Sequence, residues 1–334
     1  MQLLDHSSHT GQLNCISKAF PFSFQESYGR FLREQGAQLF LFYSSGVIAP
    51  VALRKSKFLT IMQFQFRPLD ASGAILEPDA EKKFLDAAVD YTLEHKLAHR
   101  IVQPANFALF GAAPTDSIHA PYGSYVLSLS GKTDEALLAG MQARYRTAIR
   151  AAQKLAPEIR TGESELPAFW QLHKATMERT RMYYEPYAEL QHLCANAAEN
   201  VLVATCYINN ELQGGVFLIW TSYGAYYLHG ASGNTPLSDG AIKYLHYWCM
   251  CDLKRQGAER YDFVGARLSD VSGTKLEGIQ NFKKRFGSEL QAGFLWKKDI
   301  SPFVCRAYDS LLHLKLTLKG AKFPQDIIDQ ERSK

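Results

Sequence analysis

Residues 201–230 read VLVATCYINNELQGGVFLIWTSYGAYYLHG, and their pattern decides the fold. β-Branched and aromatic residues, which suit a pleated, half-buried surface, concentrate in Val201–Ile208, Leu212–Trp220 and Tyr223–His229. Asn209-Asn210, between the first two runs, tolerates the left-handed backbone that a tight turn demands. The spacing predicts three antiparallel strands. Downstream, apolar residues recur at three- and four-residue intervals from Ser238 to Gln256, which marks a helix with one buried face, and Arg260–Val264 returns as a strand.

Working outward, the same order of elements occurs earlier in the chain. Gln38–Tyr43 turns at Ser44-Ser45-Gly46 into Val47–Leu53, Leu59–Phe66 follows, and a helix over Asp79–His95 leads to a strand over His99–Gln103. Between the copies lie a long helical pattern, Asp134–Lys154, a loop at Pro157–Gly162, and helices over Leu166–Met177 and Tyr187–Ala198. Three antiparallel strands, a helix and a returning strand is the core order of the GNAT acetyltransferase fold. The expected class is therefore α+β: two tandem GNAT-like domains, each a mixed, mainly antiparallel sheet flanked by helices. The expected division is an N-terminal domain over 12–129, a connecting basic helix over 130–156, a C-terminal domain over 157–315 and a tail over 316–334.

Composition agrees with a two-domain globule. The chain has 334 residues, 46% hydrophobic and 21% charged, and single cores stop growing at about 250–300 residues. A formal charge of +4, spread along the chain, falls short of the concentrated excess of a duplex-binding protein, so DNA is not an expected partner. Met1–Thr10 is polar, and no stretch offers the roughly 18 apolar residues a membrane span needs, which reads as cytoplasmic with no membrane span. Cys15, Cys194, Cys206, Cys249, Cys251 and Cys305 form no paired Cys-x-x-Cys motif, so reduced core thiols are expected rather than disulfides or zinc.

The most specific segment runs from Tyr227 to Trp296. It holds Gly230-Ala231-Ser232 at a strand end, then Gly257-Ala258-Glu259-Arg260-Tyr261-Asp262-Phe263, then Gly278-Ile279-Gln280-Asn281-Phe282-Lys283-Lys284-Arg285-Phe286-Gly287. This succession resembles the FemABX family, with its "Y-D-F-x-G" strand and "G-I-x-x-F-K-x-x-F-G" helix. Weaker echoes are Phe24–Tyr28, the basic run Tyr145–Lys154, and Phe169–Tyr183 with Thr176 and Arg179. The resemblance implies two GNAT-like domains and transfer of an amino acid from aminoacyl-tRNA to a free amine of a peptidoglycan precursor, usually a nucleotide- or lipid-linked muropeptide. That acceptor allows peripheral contact with a lipid-linked substrate; no cofactor is implied beyond the acyl donor. Two departures stand out: Gln103-Pro104 replaces an acidic residue before proline, and the "Y-D-F-x-G" strand ends Val264-Gly265 where Gly-Gly is usual.

Acyl transfer to an amine needs a proton sink and a positive or hydrogen-bonding group where the oxyanion develops. No nucleophile motif appears, which favours direct attack within a ternary complex. Lys283 is the expected catalytic cation. Thr274 and Glu277 form a T-x-x-E capping box and Gly287 suits the residue past the helix end, setting a helix over Lys275–Phe286. At 100° per residue Lys283 falls within the stripe of Leu276, Ile279, Phe282 and Phe286, and a cation there must snorkel or find an anion. Phe282 would pack beside it. By the resemblance, Arg179 and Tyr183, one turn apart, face the acceptor's phosphate; Arg33 or Arg30 supplies a second cation, and Tyr227 lies at the substrate. Arg146, Arg150 and Lys154 form a basic stripe that could grip phosphates, with Arg150 at its centre. His229 is a candidate base. The alternatives are an acyl-CoA-dependent GNAT acting on a small amine, and a non-catalytic binding protein retaining the fold. Gly233–Ala241 lacks the full glycine pattern that cradles a pyrophosphate, which weighs against acyl-CoA.

Overall fold

A computed structural model describes residues 1–5, 19–56, 58–180, 182–234, 236–320 and 325–333. Cys15 and the start of the expected 12–129 domain lie outside the described residues, as do residues 321–324 and 334 of the expected tail.

The strands are β1 (Gln2–Asp5), β2 (Gln38–Ser44), β3 (Val47–Lys55), β4 (Thr60–Phe64), β5 (Leu69–Asp70), β6 (Arg100–Val102), β7 (Ile118–Ser128), β8 (Glu158–Thr161), β9 (Val201–Ile208), β10 (Glu211–Thr221), β11 (Gly224–Ser232), β12 (Arg260–Asp262), β13 (Ala266–Arg267) and β14 (Glu289–Asp299). The helices are α1 (Glu26–Glu34), α2 (Pro78–Glu94), α3 (Asp134–Gly140), α4 (Ala143–Gln153), α5 (Leu166–Thr180), α6 (Tyr187–Asn196), α7 (Ala241–Arg255), α8 (Lys275–Lys284), α9 (Pro302–Leu318) and α10 (Ile327–Arg332).

One 14-stranded sheet runs in the order β1-β2-β3-β4-β6-β14-β7-β12-β11-β10-β9-β8, with β5 paired to β3 and β13 to β7 off this path. The order is a palindrome of the repeat. In the first copy β2, β3 and β4 pair antiparallel and β4 pairs parallel with β6. In the second, β9, β10 and β11 pair antiparallel and β11 pairs parallel with β12. The two GNAT-like copies thus share one topology, as their sequences predict.

At the seam the copies trade last strands. β7 follows β6 in the chain but pairs with β12, while the last two residues of β14 pair with β6. β7 and β14 pair with each other antiparallel from Glu289↔Val126 to Lys297↔Ile118. Among the described residues four apolar clusters result: one under α2, one under α4 and α7, a small one around Tyr122, Leu295 and Ile328, and one joining Phe20, Phe24 and Phe31 of the first copy to Phe169, Leu193 and Phe217 of the second. The halves share a core, so they are fastened by burial as well as by strand pairing.

Three local expectations are corrected. The helix expected over Asp134–Lys154 is broken into α3 and α4, because Met141 turns to extended backbone, is itself buried, and leaves Gln142 N–H to donate to Arg285 O at 3.0 Å. Gly287 abuts the break, where a Cβ would meet Gly140 O at 2.4 Å. The loop expected at Pro157–Gly162 contains edge strand β8. Residues 325–333, expected as tail, carry α10, which docks through fully buried Ile328 and an Arg267–Glu331 ion pair of 2.9 Å. Among the described residues no helix is long and apolar enough to cross a membrane.

His246 of α7 lies within the second copy's core, packed against Tyr227, Phe263, Phe282 and Phe286, with Nδ1 2.8 Å from the Tyr261 hydroxyl. Burial pushes its pKa down to about 3. The unfolded chain therefore binds this proton below about pH 6.5 and the native state does not, so stability falls by up to about 1.4 kcal/mol per pH unit from there toward pH 3. In His246→Leu the steepness of urea-midpoint loss between pH 6.5 and 4 should shrink by about one proton; an unchanged slope would place the acid sensitivity elsewhere.

Candidate active site

β12 ends at Asp262, and the chain then bulges by one residue before rejoining β7 as β13 in the same direction. Val264 has φ 49° and Gly265 φ 74°. A β-branched residue at positive φ is strained, and Asp262 holds it there: its Oδ1 accepts from Val264 N–H at 2.7 Å and from the Ser124 hydroxyl. Gly265 tolerates no side chain, since a Cβ would lie 2.5 Å from the Tyr122 hydroxyl oxygen. The bulge aims two successive carbonyls, those of Val264 and Gly265, at one point. Val264→Gly would relieve the strain and forfeit some packing. The expected urea midpoint is unchanged or raised by up to about 1 kcal/mol, and a clear loss would show that the side chain's packing outweighs its backbone cost.

The point those carbonyls face is occupied by the Lys283 ammonium. Lys283 is 7% exposed, on the apolar side of α8 as helical projection predicts, and Nζ donates to Val264 O and, at 2.6 Å, to Gly265 O. Burial lowers its pKa to about 8, partly offset by the charge of Asp262. Burial raises Asp262, with Ser124, Val264 N–H and Lys283 pulling it back. The expected capping box does not form: the Glu277 carboxylate accepts from Gly273 N–H at 2.9 Å, one residue before the cap, and the Thr274 hydroxyl donates to Val271 O. Phe282 packs on His246 and Phe286, fixing the turn that carries Lys283.

Lys283 and Phe282 line a cleft of about 800 Å³, together with Tyr227 of β11 and Arg179 and Tyr183 from α5 and the segment after it. Five of the expected site residues therefore converge. Arg179 is exposed and has no ion-pair partner among the described residues. Arg33 and Arg150 do not line the cleft. Arg33 pairs with Glu26 at 2.7 Å, Arg30 donates to Asn196 O at 2.9 Å, and Arg150 lies exposed on α4. The basic stripe is partly structural, because Arg146 donates to Ala139 O and Met141 O at the α3–α4 break. Gln103 is structural too: its side-chain oxygen accepts from Ile328 N–H at 3.2 Å. A smaller depression of about 320 Å³, near Lys132, Glu259 and Glu289, holds none of the expected catalytic or substrate-binding residues.

Three residues that sequence reasoning missed or left open also line the cleft. His173 of α5, Glu185 and His229 of β11 meet on its wall, with His229 Nδ1 3.5 Å and His173 Nε2 3.9 Å from Glu185 Oε2. Burial lowers His229 to about 4, so it is neutral at pH 7. Burial raises Glu185, but the two imidazoles more than offset this and leave it low. No local spacing links His173 to His229; strand β11 and helix α5 bring them together.

Residues 139–284 match a family model described as an acetyltransferase (GNAT) domain. Fold and match agree on a GNAT-type domain over these residues. More narrowly, the architecture is that of FemX, whose crystal structure superposes with a TM-score of 0.66 at 15% identity, covering 89% of this chain and 97% of that one. The expected fold of two GNAT-like copies is thus matched across most of the chain. A C-terminal DUF2156 domain from Agrobacterium fabrum, assigned to a lysylphosphatidylglycerol synthetase, gives a TM-score of 0.52 at 11% identity over 92% of this chain and 97% of its own. L-PGS from Bacillus licheniformis gives 0.50 at 12% identity over 81% and 90%. No curated protein matches the chain significantly in sequence.

Proposed function

We propose that this protein transfers an aminoacyl group from aminoacyl-tRNA to an amine of a peptidoglycan precursor, by direct attack in a ternary complex on the cytoplasmic side. The observation that carries the reading is Lys283. An ammonium has three N–H donors, two are spent on Val264 O and Gly265 O, and the third remains for a carbonyl oxygen in the cleft. The amine nitrogen attacks the ester carbonyl, a C–N bond forms, and the oxyanion develops against that third donor. The ester C–O bond then breaks, and the proton lost by the amine ends on the leaving ribose oxygen.

Donor choice follows from what the helix N-termini offer. In an acyl-CoA enzyme, free backbone N–H groups before the long helix hold the pyrophosphate. Here Gly233 N–H donates to Gln213 O, Leu237 N–H to Gln213 Oε1, Gly240 N–H to Ser238 Oγ and Ala241 N–H to Ser238 O. α4 also covers the start of α7: a Cβ on Gly240 would meet Ala148 O at 2.1 Å. In the first copy α2 opens with Pro78, which has no N–H to offer, and Asp79, whose charge repels an anion. An ester donor without a pyrophosphate at these sites fits better, and the lysylphosphatidylglycerol synthetase among the structural neighbours is likewise named for an aminoacylated product.

The test incubates the protein with muropeptide precursors and either charged tRNA or an acyl-CoA pool, and detects new amides by mass. Product with charged tRNA alone supports the reading. Product with acyl-CoA alone overturns the donor, and no product in either arm overturns the activity. Within an active assay, Arg179→Ala should raise the acceptor KM about tenfold with little change in kcat, because an exposed arginine fork suits a phosphate that is bound equally in ground and transition states. An unchanged KM removes Arg179 from the acceptor site.

A further inference from the structure

From the geometry of His173, Glu185 and His229 we propose a binding site for one divalent cation of the zinc class on the wall of the cleft. The three ligand atoms, one from each residue, all lie within 4.8 Å of one another. Hydrogen bonding fixes which atoms face inward. His173 Nδ1 lies 3.3 Å from Gly230 O, which can only accept, so Nδ1 carries a proton and Nε2 is the nitrogen available to a ligand. That Nε2 is buried with no hydrogen-bond partner. An imidazole oriented by a backbone carbonyl, with its other nitrogen free, is the usual arrangement of a metal-ligating histidine. Opposite it stand a carboxylate oxygen at 3.9 Å and the His229 ring. A carboxylate oxygen and two ring nitrogens brought this close form a donor set that one cation would satisfy.

Bonds of about 2.0–2.1 Å place tetrahedral zinc ligands roughly 3.3–3.5 Å apart. The 3.5 Å and 3.9 Å separations to Glu185 Oε2 are close to that value, and a small rotation of the His173 ring completes the approach. Two neutral imidazoles and one carboxylate leave a net positive centre with an open position, and all three residues line the cleft, so that position faces the substrate space. The site does not depend on the reaction proposed above.

Untagged full-length protein, stripped with chelator, should bind one Zn²⁺ per chain by calorimetry and by metal analysis after gel filtration, and should not bind Mg²⁺ under the same conditions. Co²⁺ should give visible absorption bands of low coordination number. Glu185→Gln, which keeps shape and removes charge, should weaken Zn²⁺ by about 10²-fold or more, and His173→Ala/His229→Gln should abolish it. No binding by the wild-type protein, or the same stoichiometry and affinity in Glu185→Gln, overturns the site.

A separate observation concerns α9. Phe303, Leu311, Leu314 and Leu318 are 85%, 63%, 60% and 80% exposed. At 100° per residue they fall within one arc of about 80°, with Arg306 at one edge and Lys315 and Lys319 at the other. The opposite face is docked, through buried Cys305 and through Asp309 paired with Arg100 at 2.7 Å. An outward apolar stripe rimmed by cations is the pattern of a helix lying in a lipid interface. We infer that α9 seats the protein on an anionic membrane surface, the cations meeting lipid phosphates and the stripe entering the acyl boundary.

The protein should float with vesicles containing phosphatidylglycerol and not with phosphatidylcholine alone. Leu314→Gln/Leu318→Gln should abolish flotation, and Arg306→Gln/Lys315→Gln/Lys319→Gln should weaken it about a hundredfold at low salt. Absence of flotation overturns the inference. So does a concentration-dependent dimer that the leucine variant dissolves, which would assign the stripe to a second copy of the chain.

Discussion

Lys283→Met is expected to fold normally and to lose about 10²–10³ in turnover, equivalent to about 3–4 kcal/mol of transition-state stabilisation. The substitution keeps the apolar stem within the packing of α8 and deletes the charge. Lys284→Met, one residue on and exposed, is the matched control. A lysine with its pKa near 8 also sets the sign of a pH dependence. Below that value the ammonium is charged and can meet the oxyanion, and above it the group becomes neutral. The Lys283-dependent part of the rate should therefore decline as pH rises through about 8, and the decline should be absent in Lys283→Met. Equal, mild effects of the two methionine variants would remove Lys283 from the reaction.

The burial of Lys283 was legible because it needs nothing beyond helix periodicity and three apolar neighbours. The repeat was legible for the same reason: strand and turn chemistry at Val201–Ile208 and Gln38–Ser44 is local. What holds Lys283 was not. Two carbonyls reach it because Val264 and Gly265 both adopt left-handed backbone, and a valine does so against its own preference. The exchange of β7 and β14 was equally hidden, since a strand's alternation says which face is buried and not which neighbour it meets. The break at Met141 escaped periodicity because its cause, the approach of Gly287 to Gly140 O, lies far along the chain. Arg33 and Arg150 were drawn to the substrate by charge alone, and an arginine on a helix surface is more cheaply satisfied by its neighbour Glu26 or by water.

Arg67→Met is expected to cost about 3–5 kcal/mol of stability at neutral pH. Glu81, in the first turn of α2, has a fully buried side chain, and its carboxylate pairs with Arg67 and accepts from Gly111 N–H at 3.1 Å. Gly111 permits the approach, since a Cβ there would sit 2.6 Å from an Arg67 guanidinium nitrogen. Burial already raises the Glu81 pKa against the pull of Arg67. Removing the guanidinium leaves an uncompensated buried charge, and the carboxyl responds by holding its proton to higher pH. A raised native pKa means the native state binds the proton more tightly than the unfolded chain, so the penalty is small below the unfolded value and grows as pH rises above it. The deficit of Arg67→Met should accordingly be smaller at pH 5 than at pH 8. Glu81→Leu in the same background should recover much of the loss, because a buried pair replaced by apolar groups is often close to neutral. Urea midpoints of the two variants at both pH values decide the matter: a deficit independent of pH, or no recovery in the double variant, would show that packing of the Arg67 stem, and not the ion pair, holds α2 to the sheet.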